Sequence, residues 1–511
     1  MNEHHSVATG TVCHSELFHF PAVRQRALCA SFTGGDVTSE GGVTLLRQTD
    51  RRRGLTKARA NVLPDPRAPD RLEHPLLALG RQRIYGLAQG YEDLNDHDTL
   101  RHDLAWQTAV ERDRPRASSP TLCRWEHRAD RPGAWAVHQV IVEPFIASLA
   151  PPPPELILDF DATEDRGQGP QEGRFFHGDS GDYCFLPLYV FCGEQLLVAY
   201  LRPAHIDSAR QAWAGWKLLV GRLRPAGPQV RIIFRGASGF GRWRLLRWGE
   251  AHQVGSLVGL AKNPRVPGLA QGLRAQAQTH FQGRQQKQRR LGEGTDAAQS
   301  WDQERRGLIP AEHPDKGSNP RLGVTHLAGE AQALYDEGDC ARGERENRIK
   351  EQQLGLFADR TSCPGWWAHQ FRLRLSSCAY GRLERLRTRA LAGPELARAQ
   401  GSTLRLKLLK IGAGVLRNTR TVRRLWSSSY PYQAIFSPVV QALGSGGEAV
   451  RAGPGTRTNN GGKGAQAHAR ENRLCKPTDG SCRAHFSSPN ANRRAHEKLR
   501  LITPARWAVP W

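Results

Sequence analysis

Acidic residues are scarce in this chain: 49 Asp and Glu stand against 73 Lys and Arg, leaving a formal net charge of +24 over 511 residues. A surplus of that size attracts polyanions at long range, so DNA or RNA is the leading partner class. The same surplus has a compositional reading, because arginine follows a GC-rich coding bias, and charge alone names no function. Long apolar runs are missing as well. No stretch approaches the roughly eighteen apolar residues of a spanning helix, which argues against a membrane partner. The start MNEHHSVATGTVCHSELFHF lacks the basic-then-apolar texture of a secretory signal, and a cytoplasmic protein is expected. The cysteines, scattered from Cys13 to Cys482, never form a CxxC pair. Reduced thiols are therefore expected, not a disulfide framework or a structural zinc site. No GxSxG elbow surrounds Ser180 or Ser238, and GSGG near residue 444 lacks the Lys-Ser or Lys-Thr of a phosphate-binding loop. Serine-nucleophile chemistry and nucleotide hydrolysis lose their support.

What is present divides the chain into segments, and its length suggests roughly three domains. Residues 1–40 read as irregular. Residues 41–150 carry a helical pattern through Leu76, Leu77, Leu79, Ile84, Leu87, Leu94, Leu100 and Leu104. That region is either a packing or dimerisation module or a DNA-binding domain that holds phosphates through Arg51, Arg52, Arg53 and Lys57. Four prolines at 151–154 then break the pattern, since successive prolines favour an extended backbone. From 155 to 264 short apolar runs bounded by turn residues read as buried strands alternating with helices, in the order βββαβαβ. A helix over Ser208–Leu223, with Asp207 or Ser208 able to cap its first turn, follows the third strand. Residues 265–335 are polar and rich in Gln, Arg and Gly, and read as an insertion within the core. Residues 336–443 are helical, and the unpatterned residues 444–511 read as a disordered tail.

This layout predicts an α/β, ribonuclease-H-like core: a mixed sheet of order βββαβαβ…α with an insertion, preceded by a mostly helical domain. It gives the carboxylates a geometric meaning. Asp159 and Asp161, two apart on the first strand, share one face. Residues 235–240 follow the fourth strand and lie beside them, and Glu346 on the later helix brings a further acid. Such oxygen donors suit hard divalent cations. Two of these activate the attacking water or 3′-hydroxyl and stabilise the leaving oxygen in phosphoryl transfer. Taken singly, Asp159 reads equally as a strand-end residue satisfied by backbone amides. Glu346 likewise fits a solvated helical face with Arg342 and Lys350 at salt-bridge spacing.

The strings LILDFDATED, QEGRFFHGDSGDYCFLPLYVFCGEQLLVAYLRP, VRIIFRGASGF, VGLAKNP and ARGERENRIKEQQLGLFADRTS resemble the DDE transposases of bacterial insertion sequences, specifically their thirteen-eighty branch, from about residue 30 to 440. The resemblance implies a transposase that binds the terminal inverted repeats of its own element and a target DNA duplex. It also implies cleavage and joining of strands with Mg2+ or Mn2+, action as a homo-oligomer in the synaptic complex, and association with the bacterial nucleoid in the cytoplasm. Asp161 matches the first acid, with Asp159 as its rival, and Glu346 the third. Asp161 and Glu346 are thus the implied metal ligands. Arg342 matches the arginine of the family's tyrosine-arginine-glutamate signature, and Arg342, Lys350 and Arg235 are the implied DNA contacts. Two positions depart from the pattern. Ala237 stands where the family motif RGDSGF has its second acid, and Asp339 stands in place of the signature tyrosine. Asp179, Asp182 and Asp207 are the acids that could substitute at the second position, each in a different segment and none with a claim from the motif. The resemblance therefore implies either a transposase impaired at Ala237 or a catalytically dead DNA-binding remnant that still recognises transposon ends.

Overall fold

The computed structural model describes residues 16–444, less Asp179, Thr361 and residues within 261–287, 297–300, 314–321, 339–341 and 392–395. Asp179, Asp339 and nearly all of the 444–511 tail lie outside the described residues.

Apolar runs flanked by turns become the central strands. These are β1 (Glu155–Ala162), β2 (Leu188–Cys192), β3 (Gln195–Tyr200), β4 (Arg231–Gly236) and β5 (Val254–Leu260). Between them run helices α6 (Ala212–Ala226) and α7 (Trp243–Ala251), numbered in sequence with the helices described below. β1, β4 and β5 are parallel, whereas β2 and β3 run antiparallel as a hairpin beside β1. The resulting order β3-β2-β1-β4-β5 is that of a ribonuclease-H-like sheet. Three further strands, β6 (Gln288–Asp296), β7 (Arg305–His313) and β8 (Leu322–Thr325), extend it antiparallel beyond β5 to eight strands. They fall inside the segment read from sequence as an insertion. Their polar texture hid them: β7 keeps Arg305 almost fully buried by pairing it with Glu250 at 2.7 Å and Asp302 at 3.0 Å. A paired arginine can occupy a strand position where periodicity expects an apolar residue.

Other boundaries also moved. The chain does not enter α6 at Ser208. Asp207 instead closes a preceding turn through the Ala209 N–H at 2.8 Å, and Gln211, at φ 67°, separates that turn from the helix. Residues 1–40, read as irregular, include an antiparallel hairpin of Leu17–Val23 with Arg26–Ser31, in which all but Ser31 are exposed. A small sheet of Asp165–Arg166, Phe175–His177 and Asp182–Phe185 lies between β1 and β2 in the chain.

Alternation along the strands sorts side chains to two faces. On one, Leu158, Phe160, Val190, Ile232 and Phe234 pack against Trp216, Leu219 and Leu223 of α6 and Leu245 and Leu246 of α7. Trp216 and Phe160 sit on either side of Phe234, with ring centroids 4.6 and 4.7 Å away. On the other, Tyr189, Phe191, Leu196 and Ala199 join a second core built from helices. The helices of this half include α1 (Val43–Arg53), α2 (Leu55–Val62), α3 (Leu76–Gln89), α4 (Ser119–His127), α5 (Arg131–Ala147), α8 (Arg342–Lys350), α9 (Trp366–Ala390) and α10 (Gln433–Gly444), with α2 packed on α3 and α5. α9 is the centre of this half, with Leu373, Tyr380 and Leu383 fully buried against Leu46, Leu79 and Tyr85. No helix among the described residues is long and apolar enough to cross a membrane.

Candidate active site

β1 ends in Asp159-Phe160-Asp161, and Phe160 faces the α6/α7 core, so both acids point to the opposite side. The parallel register with β4 sets Arg235 beside Asp159 and Gly236 beside Phe160. Ala237 continues the extended backbone at φ −69° and ψ 175°. It is the first residue beyond the paired part of β4, as Asp161 is the residue after Phe160 on β1, and its methyl packs against the α6/α7 core. The turn after it is held by packing: the Phe240 N–H donates to the Ala237 carbonyl at 3.0 Å. A Cβ on Gly239 would meet the Ser208 side chain at 2.9 Å, and one on Gly241 would meet Leu260 at 2.8 Å. The loop shape therefore persists although residue 237 carries only a methyl group.

The two β1 acids occupy different environments. Asp159 is 1% exposed and takes a forked pair from Arg235, Nη2 to Oδ2 at 2.7 Å and Nε to Oδ1. A buried carboxylate bonded in this way is held as a structural ion pair. Arg235, expected from the resemblance to contact DNA, is buried here with its guanidinium on Asp159, and Asp159 serves as its counter-ion. Asp161 is half-buried, and its Oδ1 accepts from the Ala162 N–H at 2.9 Å.

Glu346 lies exposed on α8, whose first residue is Arg342 and whose last, Lys350, is also exposed. Ile349 anchors the helix in the core, and Arg348 ties it to the β2–β3 turn through Glu194 at 2.8 Å. Asp182 belongs to the small sheet and faces Arg166 at 3.7 Å. Asp207 adjoins Ser208, which touches the loop after Ala237, but its carboxylate binds Arg242 and the Ala209 N–H. Asp159 and Arg235 are thus brought into contact, and Asp161 and Ala237 follow at the same ends of their two neighbouring strands. Among the described residues no three His, Cys, Asp or Glu side chains converge as a metal-binding group. The donors present do not fit the acid cluster expected for Mg2+ or Mn2+, because position 237 contributes no oxygen.

Sequence reasoning gave no role to a buried polar group beside this region. Asp165, 1% exposed, lies 3.4 Å from His369 Nε2, and burial raises its carboxyl above the usual range. Asp359 is raised too, first by burial and then by the charge of Asp165, and burial raises the Tyr189 hydroxyl in the same neighbourhood. The signal was available, since Asp165 closes the matched string LILDFDATED.

Strand order defines a ribonuclease-H-like α/β scaffold. Residues 20–446 match the family Transposase DDE domain group 1, and the chain belongs to that family. Among solved structures, the chain is similar to the piggyBac transposase in a cryo-EM synaptic complex with hairpin DNA. The two share 10% identity over 73% of this chain and 80% of that one, with a TM-score of 0.35. Curated proteins give no match.

Proposed function

We propose that this protein is an insertion-sequence transposase that binds the terminal inverted repeats of its element as a homo-oligomer but has lost efficient metal-dependent strand cleavage. The observation that supports the reading is the β1–β4 register: it pairs Gly236 with Phe160, so the next residues along the two strands are Ala237 and Asp161, and a second acid at 237 would stand at the same strand end as Asp161. DDE transposases generally use divalent metals, and a missing carboxylate removes both a ligand and compensating charge. Asp161 and Glu346 remain as candidate metal ligands, and Arg342 and Lys350 as candidate DNA contacts. Binding to duplex DNA rests on the net charge of +24 and does not depend on residue 237. A bacterial, nucleoid-associated setting accords with this reading.

The test is a strand-nicking assay on a duplex containing the element's end, with Mg2+ or Mn2+. The natural sequence is expected to bind without nicking, and Ala237→Asp to gain nicking that disappears again on adding Asp161→Asn. Efficient nicking by the natural sequence would overturn the reading. If Ala237→Asp binds DNA yet stays inert, the loss does not reside at this position alone.

A further inference from the structure

Between residues 396 and 447 the sequence contains no Asp or Glu, while Arg and Lys recur from Arg398 to Arg424. The centre of this acid-free stretch is an antiparallel ribbon of Ala413–Arg417 and Val422–Trp426. Its inner face is fixed to the body: Ala413 and Val415 are buried, and Arg424 reaches the carbonyls of Gly41 and Ala105 at 3.4 and 3.2 Å. The first strand also pairs with Val37–Thr38, so among the described residues Val422–Trp426 is one edge of the three-stranded sheet.

The tip is rigid. Asn418 Oδ1 accepts from the N–H groups of Arg420 and Thr421 at 3.0 and 2.7 Å and from the Thr421 hydroxyl at 3.0 Å. The Asn418 N–H closes the turn on the Thr421 carbonyl at 3.0 Å. Arg417 is used within the fold, bonding Gln107 at 3.1 Å. Arg420 and Arg423 are different: both are exposed, and neither forms an ion pair with a described residue. Arg423 lies opposite Leu416 on the outer face, and Arg420 stands at the turn.

We propose that this ribbon is a docking surface for duplex DNA, with Arg420 and Arg423 on backbone phosphates; the proposal rests on the reading of the protein as a DNA binder. A two-stranded ribbon has the width of the major groove. A rigid tip spends little entropy on ordering, and cations without partners in the fold give up no internal ion pair on meeting phosphate. The exposed Leu416 and Leu425 beside them would also suit a second copy of the chain. That arrangement would bring two acid-free ribbons together, and like charge opposes it.

The experiment is fluorescence anisotropy of the full-length chain on a duplex drawn from the DNA flanking its own gene and on a scrambled duplex, as a function of salt. Loss of two phosphate contacts lowers the slope of log affinity against log salt by about 1.8 units. Arg420→Ala/Arg423→Ala should show that drop on both duplexes, so its deficit against wild type shrinks about twelvefold between about 50 and 200 mM salt. Arg420→Lys/Arg423→Lys should keep the wild-type slope, and so should Lys217→Ala on α6. The melting temperature of each variant reports folding. A wild-type slope in the alanine variant overturns the ribbon while leaving the DNA-binding reading intact. A change in oligomeric state without a change in slope assigns the ribbon to self-association and also overturns it. Failure of the wild type to bind either duplex removes the underlying reading itself.

Discussion

Asp159 and Asp161 sit two positions apart on one strand face, and local sequence gives no means of ranking them. The distinction comes from Arg235, 76 residues away, which reaches Asp159 only because β4 lies against β1 in that register. Removing one partner of a buried, forked ion pair leaves an uncompensated charge, a cost of about 3–5 kcal/mol. Asp159→Ala should therefore lower unfolding stability by that amount in urea titrations. Asp161→Asn, at a half-buried residue bonded to its neighbour's N–H, should change it by less than about 1 kcal/mol. Equal losses for the two variants would mean that both acids are structural. Ala237 was legible from the sequence because its neighbours Arg235, Gly236, Ser238, Gly239 and Phe240 preserve the motif. Its place at the same strand end as Asp161 needed the strand pairing.

Among the elements, the central βββαβαβ order was readable because those strands are buried on both faces and appear as continuous apolar runs. The strands extending the sheet were not, since paired or solvent-facing arginines interrupt any apolar period. Polar anchors between helices were equally hidden. Asp50 on α1 is fully buried and accepts from Arg382 of α9 at 2.6 Å, Tyr85 of α3 at 3.1 Å and the Thr56 N–H of α2 at 3.2 Å. Burial alone would raise this carboxyl, but Arg382, Thr56 and Arg81 outweigh it and hold it below the usual range. A depressed folded value means that the carboxylate's contribution is complete above its unfolded pKa of about 3.9 and is lost as pH falls through the lower folded value. Asp50→Asn should cost about 3–5 kcal/mol at neutral pH. The gap from wild type should narrow as urea titrations move to acid. A gap that stays constant down to the lowest pH would show that the charge of Asp50 does not stabilise the four-helix junction.

At the scale of the molecule, the sequence suggests an N-terminal helical domain divided from the rest by the prolines at 151–154. The packing is less modular. Val43, Leu46, Leu79, Tyr85, Trp106 and Val137 share one core with Tyr189 and Phe191 of the sheet and with Leu373, Tyr380, Leu408 and Val439 near the other end of the chain. α3 and α9 are close neighbours along their lengths, and twelve of the fourteen α3 residues, from Ala78 through Gln89, are buried. An isolated 41–150 fragment would expose the apolar side of α3 and α1 to water, at roughly 1.5–3 kcal/mol for each large side chain left uncovered. It would also strand Asp50 without Arg382. Such a fragment should show little cooperative melting by circular dichroism. Adding a separately produced 336–443 fragment should restore helical signal, because that piece supplies α9. A 41–150 fragment that melts cooperatively on its own would mean that the N-terminal helices form an independent domain and that the shared core is a docking interface between preformed units. The same result would separate these helices from the sheet, whereas a single joint transition couples α1 and α2 to the strand that carries Asp161.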